Sequence, residues 1–142
     1  MSGPRVAQIE MAGQKADIQV TGSTWFVDVM NVVGSRPDGW WRDRKGAMAG
    51  VVAALDDFAC SSGDDVIAVL DGRAFPLEAA EVKIVFAPGG PNAADEEILR
   101  LIKSSTRDVV VVTSDRDLAE RAKAQGARVM GAGEFRSNLD RS

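Results

Sequence analysis

The sequence contains no histidine and no tyrosine, and its 142 residues include a single cysteine. Without histidine there is no Ser-His-Asp or Cys-His nucleophile, no imidazole base and no His-containing zinc site. One cysteine cannot close an internal disulfide or build a thiolate metal cage, which suits a reducing, cytoplasmic location. No apolar run approaches the roughly 20 residues of a membrane helix, so no membrane partner is expected. The opening MSGPRVAQIEMAGQKADIQVTGS is polar and lacks the hydrophobic stretch of a signal peptide. A GxxxxGK[ST] loop is missing. The Gly131-Ala132-Gly133 segment carries Arg136 where a dinucleotide fingerprint needs its third glycine, so no nucleotide cofactor is expected. A net charge of −4 makes the chain a poor general polyanion binder; nucleic acid would need a local patch or a metal. Any chemistry therefore falls to carboxylates, hydroxyls, cations or a bound metal.

What is present reads as one domain. Residues 1–23 form an N-terminal arm, with the first dozen expected to be disordered and DIQV (17–20) open to an edge-strand reading. Residues 24–142 carry the fold. Short apolar, β-branched runs occur at TWFVDVM (24–30), DVIAVLD (65–71), VKIVFA (82–87), DVVVVT (108–113) and ARVM (127–130). Continuous rather than alternating runs suggest strands covered on both faces of a parallel sheet. Helical spacing between them predicts helices over 43–60, 95–103 and 115–125, with a shorter one starting near Glu134. Cys60 falls beside the apolar face of the first of these and is expected in the core. Strands alternating with helices argue for a three-layer α/β/α fold around a mainly parallel five-stranded sheet. The ten residues 72–81 are short for a parallel crossover; a compressed helix around Leu77–Glu81 is the expectation there.

Three strands finish in or run into aspartate, delivering Asp28, Asp71 and Asp115. The ends of parallel strands share one edge, and ligands bind in the crevice outside it. Asp95-Glu96-Glu97 opens the helix that returns to that edge, and Asp117 follows Asp115 by two residues. Two carboxylates about 4 Å apart repel by roughly 4 kcal/mol at an effective dielectric near 20. Such a cluster holds either protons or cations, and hard oxygen donors without His or thiolate point to Mg²⁺ or Mn²⁺. Each acid also has a local structural reading. Asp115 can sit in a first helical turn, Ser114 with Asp117 resembles a capping box, and Asn92 with Asp95 repeats that spacing.

Around the acids lie groups suited to holding substrate. Asn31 can orient a water or a phosphate, or cap the turn out of its strand. The loop GSRPDGWWRDRK (34–45) sets Arg36, Arg42, Arg44 and Lys45 against Asp38 and Asp43, and interleaves Trp40 and Trp41 with the cations. Aromatic faces beside arginines provide base stacking plus phosphate contacts, although neighbouring tryptophans usually divide into one core and one surface residue. Arg73 and Arg116, each just past a strand-end acid, can hold a scissile phosphate or pair with those acids.

These residues together resemble the NYN group of the PIN-like nucleases, especially NYN domains related to the bacterial YacP proteins. The resemblance runs from residue 24 to about 135. It is carried, in order, by D-x-x-N at Asp28–Asn31, V-L-D-G-R at 69–73, N-A-A-D-E-E-I at 92–98 and V-V-T-S-D-R-D-L at 111–118. It implies strand order 3-2-1-4-5 and a metal-dependent ribonuclease site at the strand ends, with RNA, single-stranded or structured, as partner. On that reading Asp28, Asp71, Asp95 and Asp115 are catalytic. Asp28, Asp95, Asp115 and Asp117 hold one or two Mg²⁺ or Mn²⁺ ions, with Glu96 in support. Asn31, Arg73, Ser114 and Arg116 are expected to bind substrate; Arg36, Trp40, Trp41, Arg42 and Arg44, in a loop that is compatible with the family but outside its shared motif, are expected to bind it as well. The first motif of the family usually reads D-G-x-N; Val29 stands here in place of that glycine. A homodimer stays open. So do two other functions: an RNA-binding module that retains the acids as caps, and a metal-dependent phosphatase, for which Asp115-Arg116-Asp117 offers only a superficial D-x-D.

Overall fold

A computed structural model describes residues 22–90, 92–105 and 108–141. Both expectations for the N-terminal arm, disorder in its first dozen residues and a strand over 17–20, lie outside these. Five strands, β1 (Ser23–Asp28), β2 (Asp65–Asp71), β3 (Lys83–Ala87), β4 (Asp108–Val112) and β5 (Arg128–Met130), form one sheet. Its order is 3-2-1-4-5 and every pairing is parallel. Helices α1 (Val29–Val33), α2 (Arg44–Ser62), α3 (Ala93–Lys103), α4 (Arg116–Ala124) and α5 (Ala132–Arg141) connect the strands, with a short 3-10 turn at Trp40–Arg42.

Successive strand residues point to opposite faces, so β1 sends Val27 to one side and Phe26 to the other. Val27 joins Val52, Leu55, Leu70 and Phe135 beneath α1, α2 and α5. Phe26 joins Ile98, Leu99, Val111 and Leu118 beneath α3 and α4. Burial on both faces is why these strands are continuously apolar rather than alternating. Trp25, Phe58 and Phe135 tie β1, α2 and α5 together, with ring centroids 5.0–5.5 Å apart.

Three local expectations change. The first apolar run does not continue as a strand to Met30. β1 ends at Asp28, and Val29, Val32 and Val33 bury themselves at helical spacing in α1. Cys60 is exposed, because it falls on the side of α2 that carries Ala53 and Asp57, one 100° step past the buried Ala59. The β2–β3 connection contains no helix. Phe75, Leu77 and Ala79 pack on the core at every second position, as an extended segment does. Phe75 meets Phe86 with centroids 5.4 Å apart. The backbone N–H groups of Ala80, Glu81 and Val82 donate to the Asp56 carboxylate of α2 at 2.8–2.9 Å. A strap anchored this way needs fewer residues than a helix, which resolves the short crossover.

Candidate active site

All five strands run the same way, so Asp28, Asp71 and the Thr113–Asp115 segment after β4 meet at one sheet edge. Asp28 is the last residue of β1 and is buried. Register places Val27 opposite Val112, which sets Thr113 beside Asp28. The Thr113 hydroxyl donates to Asp28 Oδ2 (3.1 Å) and accepts from the Asp115 N–H (3.1 Å). Asn31, one turn into α1, donates through Nδ2 to the same Oδ2 (2.8 Å) and accepts from the Ser114 N–H at 2.9 Å. Asn31 therefore neither caps α1 nor points away from the sheet. It clips the ends of β1 and β4 together and holds the Asp28 carboxylate.

The remaining acids arrive by different routes. Asp71 ends β2, and Gly72, at φ +107, turns the chain off the sheet immediately afterwards, a torsion favouring glycine. Asp71 Oδ1 accepts from the Ala94 N–H (2.8 Å), so it caps α3 from a distance. Asn92, the expected cap, is in the left-handed region (φ 69) and makes no side-chain cap. This directs the first turn of α3, with its buried Asp95, toward the sheet edge. Asp115 caps α4, accepting from the Leu118 N–H at 3.1 Å. Ser114 does not form a capping box with Asp117; its hydroxyl accepts instead from the Ala132 N–H of α5 (3.2 Å).

The electrostatics show how close these groups are. Burial lifts the Asp28 carboxyl to about 7, opposed by the Thr113 hydroxyl and raised further by the charges of Asp95 and Asp71. Burial also lifts Asp95 to about 6, with Asp115 and Asp71 as the next causes and a hydrogen bond shared with Asp115. Among the described residues no three acidic side chains stand close enough to hold an ion between them. The donor chemistry nevertheless fits a hard divalent cation. Every group is an oxygen donor, burial and mutual repulsion raise two of the carboxyls where a cation would relieve that repulsion, and Mg²⁺ is commonly held by one or two carboxylates with waters and substrate phosphate.

The outer groups are more dispersed. Asp117 and Glu96 both face Arg121, at 3.5 and 3.1 Å, and lie on the rim of the cluster. Arg73 and Arg116 are exposed and, among the described residues, make no ion pair with the strand-end acids. Trp40 packs partly against the core while Trp41 is 53% exposed, the division expected of neighbouring tryptophans. The Arg42 guanidinium lies 5.5 Å from the Trp41 ring and that of Arg44 5.9 Å from the Trp40 ring. Lys45 lies 5.3 Å from the Phe75 ring, which links the start of α2 to the segment just past Asp71. Arg36 is turned away into an ion pair with Asp140. Sequence reasoning missed Thr113 and the capping role of Asp71. A threonine directly after four valines, one step beyond the apolar strand, was the available signal for the first.

A family model for the YacP-like NYN domain matches residues 25–142. Among solved structures, the chain is similar to Rae1 (YacP) from Bacillus subtilis at 23% identity and TM-score 0.68, over 83% of this chain and 74% of that one. A tryptophan-to-leucine mutant of the same Bacillus subtilis protein gives 21% identity and TM-score 0.70, over 84% and 77%. No curated protein matches the chain.

Proposed function

Since the chain belongs to the YacP-like NYN domain family, a nuclease-type, PIN-like group, we propose that it is a Mg²⁺- or Mn²⁺-dependent endoribonuclease working at the carboxyl edge of its sheet. The observation that carries this reading is the gathering of Asp28, Asp71, Asp95 and Asp115 there, close enough to perturb one another's protonation. Acids kept together at such electrostatic cost have a use for positive charge.

Asp95 and Asp115, which share a hydrogen bond, would hold the ion directly, with Asp28 and Asp117 contributing charge from its margin and water or substrate phosphate completing the shell. A bound divalent cation supplies a water of lowered pKa and charge to steady the leaving oxygen. The chain supplies placement. Asn31 and Thr113 fix the rotamer of Asp28, and Asp71 orients α3 so that Asp95 faces its partners. Arg73 and Arg116, unpaired with the acids, are available to the phosphates on either side. Trp41, Arg42 and Arg44 offer stacking and charge to the flanking nucleotides, with Trp40 behind them and Ser114 and Arg36 at the periphery. Val29 stands in α1 with its side chain wholly buried. No left-handed torsion occurs there, so this backbone does not require the glycine of the usual motif.

The test uses end-labelled single-stranded and hairpin RNAs with Mn²⁺, Mg²⁺ or EDTA, and Asp115→Asn as control. The expected result is internal cleavage that requires metal and falls at least about 100-fold in the variant. Equal cleavage by the variant, or cleavage in EDTA, would overturn the assignment. Binding that persists in EDTA without cleavage would indicate an RNA-binding module instead.

A further inference from the structure

Building on the ribonuclease reading, we propose that the cavity between the 38–43 loop, α2 and α5 receives one unpaired guanine base of the substrate. The cavity has a volume of about 400 Å³, inside the range of small-molecule sites. Its floor is a run of small residues on one face of α2, Ala47, Gly50 and Ala54, and a Cβ added at Gly50 would meet nothing within 4 Å. Trp40 supplies an aromatic wall, and Asp38, Asp43, Asp140 and Arg136 bring polar groups to it. Room for a flat ring, an aromatic neighbour and a few convergent polar atoms make a base-sized site.

The charges select what enters. Asp140 is ion-paired with Arg36 and Asp43 accepts from the Gly46 N–H. This leaves the Asp38 carboxylate and the Arg136 guanidinium as the polar pair facing the cavity, and favours a neutral ligand carrying both donors and acceptors over a phosphate. Arg136 is fixed by donating from Nη1 to the Val32 carbonyl (2.9 Å). Its Nη2 stands 3.7 Å from the Asp38 carboxylate, beyond hydrogen-bond length, so both partners retain capacity. Guanine matches this pair: its N2 amino group and adjacent N1–H suit a carboxylate, and its O6 and N7 accept from a guanidinium. Adenine, cytosine and uracil lack that combination. Position agrees as well. Arg136 is held by the carbonyl of Val32 in α1, the same short helix whose Asn31 holds Asp28, so the cavity adjoins the element that carries the site. The base would sit in the cavity while its phosphate stays outside, toward the exposed Trp41 and Arg42.

The full-length chain is tested in two ways. Guanosine, adenosine, cytidine and uridine are titrated in EDTA by ligand-observed NMR. Metal-supported cleavage is compared on single-stranded RNAs differing in one guanine near the cut. The expected result is guanosine binding at least tenfold tighter than the other nucleosides and a cleavage preference of similar size. Gly50→Leu, which fills the cavity, would abolish both. Asp38→Asn, at an exposed position, would weaken guanosine selectively and serves if Gly50→Leu does not fold. Equal affinities for all four nucleosides, guanosine binding untouched by both variants, or displacement of guanosine by an arginine-containing peptide would overturn the inference. Failure of wild type to cleave any RNA would instead strike the ribonuclease reading, leaving the nucleoside titration to decide the pocket.

Discussion

Asp28 shows how one carboxylate can weaken a fold and equip a site. In the folded protein its carboxyl is lifted from 3.8 to about 7 by burial, so the ionised form is disfavoured relative to the unfolded chain. Without metal, the Asp28 contribution to stability therefore falls as pH rises from about 4 through 7, by up to ~4 kcal/mol at 1.36 kcal/mol per unit. Asp28→Asn should abolish cleavage yet raise the thermal midpoint in EDTA at pH 8, with the gain vanishing near pH 4. A midpoint unchanged at both pH values would contradict the buried charge. Thr113 is a positioning residue by the same logic. Thr113→Val removes a buried hydroxyl that both donates to Asp28 and receives the Asp115 N–H. A loss of about 1–3 kcal/mol is expected, with the acidic limb of the pH–rate profile moved to higher pH because the ionised Asp28 loses a donor. Thr113→Ser should restore the profile, which a purely structural role would not require.

At the scale of elements, the hydrogen bonds that tie the end of the β2–β3 strap to α2 converge on one side chain, Asp56. Desolvation acts to raise the Asp56 carboxyl, but the N–H groups of Ala80, Glu81 and Val82 outweigh it and hold it below 3.8. The stability it adds is present above the unfolded value and is lost as pH falls through the lower folded one. Asp56→Ala should cost about 1 kcal/mol at neutral pH and less in acid. Hydrogen exchange at residues 80–82 should speed up while α2 stays protected. Protection unchanged at those amides would show that the strap is held by Phe75 and Leu77 alone. The apolar runs and helical spacings of the sequence placed all five strands and α2 to α5 closely. The strap was open to detection in the alternation Phe75, Leu77, Ala79, but a short apolar run carries helix and strand readings together until its neighbours are known.

At the scale of the molecule, acids drawn from β1, β2, α3 and the β4–α4 junction share one edge because the sheet is parallel throughout. A ligand binding only the folded arrangement stabilises it by mass action, about 2.7 kcal/mol at one hundred times its dissociation constant. Mn²⁺ should raise the thermal midpoint of wild type at pH 8. The gain should fade between pH 7 and 6 as protons compete for Asp28 and Asp95, and be absent in Asp95→Asn. An equal rise in that variant would place the ion elsewhere.

The sequence by itself determined which chemistry was open to this protein. Without histidine and with a lone cysteine, carboxylates, hydroxyls, cations or a bound metal remained, and the aspartates stood at the ends of apolar runs. It also determined the two-faced burial of the strands, since periodicity is a local property of the chain. Only the tertiary structure decided that Asp71 caps a helix 23 residues away, that Asn31 clips two strand ends, and that Thr113 lies between two acids. It also turned Cys60 outward and Asp117 to the rim. Those outcomes depend on which backbone donors and charges meet across the sheet, and a hydrogen bond between residues 83 or 85 positions apart leaves no period in the sequence from which to read it.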